Sequence, residues 1–215
     1  MLNLALIAIV GFATSCKNNN TEAEVTEAQE VVETATGGEF NINTNVSVIE
    51  WKGSKPTGTH HGTINLQDGS FIVNGTTIEG GKAVIDMTSI QDHDLEGDMK
   101  ANLENHLKGT VEGKEGDFFD TTKFPTALFE ITEISEAEGK TMVSGNLTMK
   151  DKTHNITFPA VINHSENSVE IKSEPFTIDR TLWGVNYGSK TIFDNLGDKF
   201  INDEIELTIT IVANS

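Results

Sequence analysis

From Ser47 onward, most of the chain alternates apolar and polar positions with a period of two, which sends successive side chains to opposite faces of a strand. Ser47, Ile49 and Trp51 alternate with Val48, Glu50 and Lys52, and after a turn at 53–58 the pattern resumes with Gly62, Ile64 and Leu66. Asp68-Gly69 has the composition of a two-residue hairpin turn. A third strand with Phe71 and Val73 inward is expected after it, then a turn at Asn74-Gly75 and a fourth strand carrying Ala83, Ile85 and Met87. Val143, Leu147 and Met149 share one later face, and Ile156, Phe158, Ala160 and Ile162 share another. Residues 168–178 read as a strand interrupted at Pro175. The last strand is the clearest, with Ile205, Leu207, Ile209 and Ile211 set against Glu204, Glu206, Thr208 and Thr210. About eight antiparallel strands, each with one apolar face, predict an all-β barrel or sandwich. Closing such a sheet removes its unpaired edges.

The alternation breaks twice. Asp98 to Lys108 carries Met99, Leu103, His106 and Leu107 at helical spacing, with Gly109 just past the end and Asp98 as the expected N-cap. Asp117-Phe118-Phe119-Asp120 then sets two adjacent aromatics between two acids, a pattern suited to a short turn that drops the rings onto an apolar surface. Pro125 pushes Phe124 out of the helical region. Beyond it Ala127, Phe129 and Ile131 start another strand.

Composition narrows the partners. The net charge is −18, from 15 basic and 33 acidic residues, and Arg180 is the single arginine. A nucleic-acid partner is therefore not expected, because phosphate neutralisation needs a basic surface. Electrostatic docking on anionic lipid is disfavoured for the same reason.

The N-terminal region reads differently. Residues 1–15 form an apolar run of signal-peptide length, short for a spanning helix. Small residues follow, then Cys16, the only cysteine, so an internal disulfide is excluded. The order resembles a bacterial lipoprotein signal, with Cys16 lipidated and the protein held to the cell envelope through that anchor. No Lys or Arg precedes the run, and Ala13 stands where leucine is usual, so a simple secretion signal is the alternative. Residues 16–38, rich in Glu, Thr and Asn, are expected to be a disordered acidic tether. The folded domain is expected over 39–215.

Candidate chemistry is mostly eliminated. Neither G-x-S-x-G nor H-E-x-x-H occurs, and no catalytic constellation or cofactor is expected. Asp92, Asp94 and Glu96 followed by Gly97 match the start of a calcium loop, but its twelfth position is Leu103, with Glu104 one place late. His60 and His61 are adjacent in a strand and point to opposite faces, so the pair does not chelate one ion. No metal is expected.

Several motifs in order resemble the YceI-like lipid-binding family. They are His106-Leu107, Asp117 to Asp120, Lys123-Phe124-Pro125 with Phe129, Gly145-Asn146-Leu147-Thr148, Thr153, and Ile178-Asp179-Arg180 followed by Gly184. The resemblance covers roughly 39–213. It implies a lipocalin-like eight-stranded antiparallel barrel with a helix packed against it, holding one long apolar lipid of the polyisoprenoid, quinone-like or fatty-acyl class. On that reading Trp51, Ile64, Phe71, Ile85 and Met87 face the ligand from the first strands. Phe118, Phe119 and Phe129 do so from the aromatic stretch, and Leu147, Met149, Phe158, Leu207 and Ile209 from the later strands. His60 and Tyr187 are expected at the mouth, near the head group. The alternative is a barrel filled by its own side chains, serving as a tethered interaction domain for an unidentified protein partner.

Overall fold

The computed structural model describes residues 21–31 and 36–215. The apolar run 1–15 and Cys16 lie outside those residues. The described chain is mostly β-strand. The main strands are β3 (Gly38–Ile42), β4 (Val48–Lys55), β5 (Gly58–Asn74), β6 (Thr77–Asp92), β7 (Thr126–Ala137), β8 (Lys140–Met149), β9 (Lys152–His164), β10 (Ser168–Ser173), β11 (Phe176–Asp179) and β12 (Glu204–Asn214). Two short strands precede them, β1 (Thr21–Glu22) and β2 (Glu24–Glu27), and one helix, α1 (Gly97–Lys108), lies between β6 and β7.

Each strand from β4 to β10 pairs antiparallel with the next, β10 pairs with β12, and β12 pairs with β4, so the sheet closes on itself. β3 joins β5 and β12 beyond the end of β4, and β11 continues β10 along β12 after the break at Pro175. The fold is the lipocalin-like barrel expected from the motifs. The inward positions of the alternating pattern form the core: Phe71, Ile90, Val143, Val169 and Phe176 are each at most 1% exposed.

Asp68-Gly69 is not a hairpin turn. β5 runs through it as one 17-residue strand, and the turn lies at Asn74-Gly75. Gly69 pairs in register with Ala83, and the nearest register shift against β6 lies before it, between Leu66 and Asp68. A Cβ on Gly69 would lie 2.4 Å from the Lys82 carbonyl oxygen, and one on Gly81 would lie 2.5 Å from that of Ser70. The two glycines let the long β5–β6 hairpin bend around Phe71.

Part of the expected disordered tether is ordered. β1 runs parallel to β11, and β2 runs antiparallel to the first half of β9, pairing Glu24 with Thr157 and Glu27 with His154. Pro175 separates β10 from β11, and β9 pairs with β10 only from Ala160 onward. The N-terminal strands occupy the gap this leaves and satisfy backbone groups that would otherwise form an open edge. Asn146 holds the exit of the segment. Its Oδ1 accepts the Gln29 N–H at 2.9 Å, and its Nδ2 donates to the Gln29 carbonyl at 2.7 Å. Asn155 donates to the same Oδ1 at 3.0 Å.

The helix is capped two residues earlier than expected. Glu96 is the N-cap and makes no side-chain cap bond, which leaves Asp98 in the first turn, where its charge complements the helix dipole. Gly109 ends the helix in the left-handed region at φ 71°.

Candidate functional site

The barrel lumen contains an apolar cavity of about 390 Å³. Trp51, Ile64, Ile85, Met87, Leu147, Met149 and Leu207 line it from the sheet, on the faces that the strand periods predict to be inward. Phe118 and Phe119 line it from the turn after α1. Below a waist of Ile49, Ile85, Leu147 and Leu207 lies a smaller space of about 60 Å³. Phe71, Phe129, Phe158 and Ile209 line only this narrow end. There Phe158 stacks on Phe176 with centroids 4.4 Å apart, and Phe129 lies 5.9 Å from Phe158. Phe129 fits because it lies over Gly145, where a Cβ would stand 2.3 Å from its ring. Large rings therefore fill one end of the barrel and leave the other end hollow.

Helix α1 and the aromatic turn wall the hollow end. Leu103, His106 and Leu107 face the cavity. The His106 ring packs edge-on against Phe118 and Tyr187, each with centroids 5.0 Å away. The turn is tied down at both ends. The Phe119 N–H donates to the Leu107 carbonyl at 3.1 Å, and the Thr121 N–H to that of Lys108 at 2.8 Å. Lys150 reaches in from the β8–β9 turn and donates to the Phe118 carbonyl at 2.9 Å. Burial pulls the pKa of Lys150 down, and the nearby Asp120 and Asp151 carboxylates oppose that shift.

The rim is polar. Arg180 lines the cavity but is 2% exposed, and each of its three nitrogens donates to a carbonyl. Nε donates to the Asn202 carbonyl at 3.1 Å, Nη2 to that of Ile201 at 3.2 Å, and Nη1 to that of Val185. Asp203 stands 3.5 Å away. Burial lowers the Arg180 pKa, against the pull of Asp203 and Asp179. This arginine clamps the rim loop. Lys55 and Lys199 are the other cations lining the cavity, and both are exposed. Trp51 contributes a buried indole Nε1 with no hydrogen-bond partner among the described residues.

His60 and Tyr187 both line the cavity. His60 Nδ1 lies 2.9 Å from Asp94 Oδ2, while Asp94 Oδ1 accepts the His61 N–H at 2.8 Å and stands 3.5 Å from His61 Nδ1. Burial pushes the Asp94 carboxyl up, but its bonds from the His61 N–H and the His60 ring hold it down at about 2. Asp92 is fully buried. Its Oδ1 accepts the N–H groups of Leu95 at 2.7 Å and Asp94 at 3.2 Å. Its Oδ2 has no partner among the described residues. Glu104, which falls one place late for a calcium loop, accepts the Asp92 N–H at 3.0 Å instead.

The roles of His106, Arg180 and the Asp92–His60 proximity were not assigned from sequence. The signal for His106 is its place on the helical stripe beside Leu103 and Leu107 and in the His106-Leu107 motif, and that for Arg180 is the motif Ile178-Asp179-Arg180 followed by Gly184. Nothing local marks the third.

The model of the YceI-like domain family matches residues 40–213. Over 105 residues the chain is 31% identical to a UPF0312 protein of Pseudomonas putida strain KT2440, a stretch that is 48% of this chain and 49% of that protein. It is equally similar, 31% over 105 residues with the same shares of each chain, to a UPF0312 protein of strain GB-1. The matching stretch thus spans about half the length of these relatives. Among solved structures, Burkholderia cenocepacia BcnA superposes with a TM-score of 0.56 at 20% identity, covering 80% of this chain and 99% of that one. A polyisoprenoid binding domain from Saccharophagus degradans, implicated in plant cell wall breakdown, gives 0.57 at 13% identity, covering 82% and 98%.

Proposed function

The chain belongs to the YceI-like domain family, and from that premise we propose that it binds one long apolar lipid in the barrel lumen. The observation that carries this reading is the cavity of about 390 Å³ walled mainly by apolar side chains, with a polar rim. Volumes of that order hold small-molecule ligands, and an eight-stranded barrel is just wide enough to enclose one. The structurally similar Saccharophagus degradans domain, described as polyisoprenoid binding, supports an isoprenoid or comparable acyl chain as the ligand class. A binding protein, rather than an enzyme, is the role that accords with this site.

The carrier role follows from the same chemistry. A ligand with a long apolar tail is insoluble, so a protein that encloses it is useful beside a membrane. Lipidation at Cys16 would hold the domain in the bacterial cell envelope, where it would carry or buffer the lipid.

The test is mass spectrometry of organic extracts from the gently purified full chain. A long-chain lipid at close to one per protein is expected, and its amount should fall when Ala127, which lines the cavity and is 3% exposed, is replaced by Phe. Extracts without lipid, together with failure to take up an added prenol, would leave the alternative of a tethered domain with a protein partner.

A further inference from the structure

We propose that His60, Asp92 and Asp94 form a site for a divalent transition-metal ion of the zinc class at the rim of the lumen. One donor atom from each residue lies within 4.8 Å of the other two. Strand register brings them together. Asp92 pairs with Gly62 across β5 and β6, and His60 precedes Gly62 by two residues, on the same face. Asp94 follows Asp92 by two and meets His60 at 2.9 Å. His93, between the two acids, turns the other way, to Thr63 at 3.2 Å.

The second observation is the state of Asp92. Two backbone N–H groups fix one of its oxygens and orient the carboxylate. The other oxygen is buried and has no partner among the described residues. An unpaired buried carboxylate oxygen is costly, and a bound cation is one of the few things that compensates it. Glu104 does not compete for the ion, because it accepts the Asp92 N–H and faces Lys100 at 3.7 Å.

The donor set selects the metal. Two carboxylates match the charge of a dication, and an imidazole nitrogen favours zinc-like ions over calcium or magnesium, which take oxygen. Three tetrahedral ligands at roughly 2.1 Å from zinc stand about 3.4 Å apart, so modest side-chain rotation closes the site. Three protein ligands leave an open position. His60 also lines the cavity, so that position lies near the lumen, available to water or to an oxygen atom of the occupant.

The experiment is calorimetric titration of the full chain, without a histidine tag, with Zn²⁺, Ca²⁺ and Mg²⁺ in turn. One Zn²⁺ per chain is expected, with Ca²⁺ and Mg²⁺ bound far more weakly. His60→Ala and Asp92→Asn should each lower Zn²⁺ affinity by more than roughly tenfold, the loss typical even of residues that only support a ligand. Asp94→Asn serves if Asp92→Asn does not fold, with circular dichroism as the check. No zinc uptake by the unaltered chain would overturn the proposal. So would uptake undiminished in a folded His60→Ala variant, or calcium binding as tight as zinc binding.

Discussion

His106 Nε2 lies 2.7 Å from Asp117 Oδ2, and this contact joins helix α1 to the aromatic turn across the intervening loop. The same ring packs against Phe118 and Tyr187, so one side chain holds the helix, the turn and the rim loop together. Both partners are partly exposed, at 21% and 26% of the side chain, which screens the pair. A double-mutant cycle with His106→Ala and Asp117→Asn, read by urea unfolding, should show a coupling of about 1 kcal/mol. Coupling below about 0.3 kcal/mol would mean that the two residues act independently.

Phe118 and Phe119 divide the work of the turn. Phe118 is 7% exposed, and Phe119 is only partly buried. Phe118→Ala should cost about 3 kcal/mol, the lower end for a buried aromatic. Phe119→Ala should cost less than half of that and act mainly on lipid uptake. Equal losses in denaturant titrations would contradict this division.

Strand positions were legible because a half-buried strand repeats every two residues. The period places Trp51, Ile64, Met87 and Leu207 on inward faces, and the family resemblance, not the period, implies that they line a lumen. The same pattern could not tell which inward residues fill space and which surround it. That depends on how Phe129 lies over Gly145 and Phe158 stacks on Phe176, contacts that join four strands. Gly69 misled because a glycine that permits close backbone approach has the same composition as one that makes a turn. The strands β1 and β2 were illegible because they are mostly exposed. Their Glu and Thr side chains read as solvated chain, and their order comes from backbone pairing with distant partners. The meeting of His60 with Asp92 was hidden in the same way, by a register shift between β5 and β6 that no local pattern records.

The N-terminal strands should stabilise the domain through Asn146. Asn146→Ala removes two hydrogen bonds to Gln29 and one from Asn155. A loss of about 1–3 kcal/mol is expected, because it also takes one of two acceptors from the buried Asn155 amide, which keeps its bond to Thr132. Hydrogen exchange should then speed up at residues 154–157 of β9, the stretch that β2 covers. Unchanged protection there would show that β2 pairing does not depend on the clamp.

Cys16→Ser should release the protein from membranes into the soluble envelope fraction. Stable anchoring needs more than one acyl chain, so the loss should be clear in fractionated cells. Unchanged membrane retention of the variant would sink the lipid anchor.

The rim also bears on the ligand's head group. A diphosphate calls for several convergent cations or a free helix N-terminus. Arg180 is buried, and each of its three guanidinium nitrogens already donates to a carbonyl of the rim loop. Lys150 is engaged by the Phe118 carbonyl, and Lys190 lies over the Phe200 ring at 4.6 Å. Lys55 and Lys199 remain, both exposed, in a chain of net charge −18. The start of α1 carries Glu96 and Asp98, which repel phosphate. A neutral or weakly polar head finds better partners in the Trp51 indole N–H, His60 and Tyr187. The lumen should therefore prefer a long-chain prenol, a quinone-like molecule or a fatty-acyl amide to a prenyl diphosphate. Competition between a prenol and its diphosphate of equal chain length, at low and high salt in metal-free buffer, decides the matter. The prenol should bind at least as tightly, with little dependence on salt. Tighter diphosphate binding that weakens as salt rises would reverse the conclusion, since only charge pairing is screened in that way.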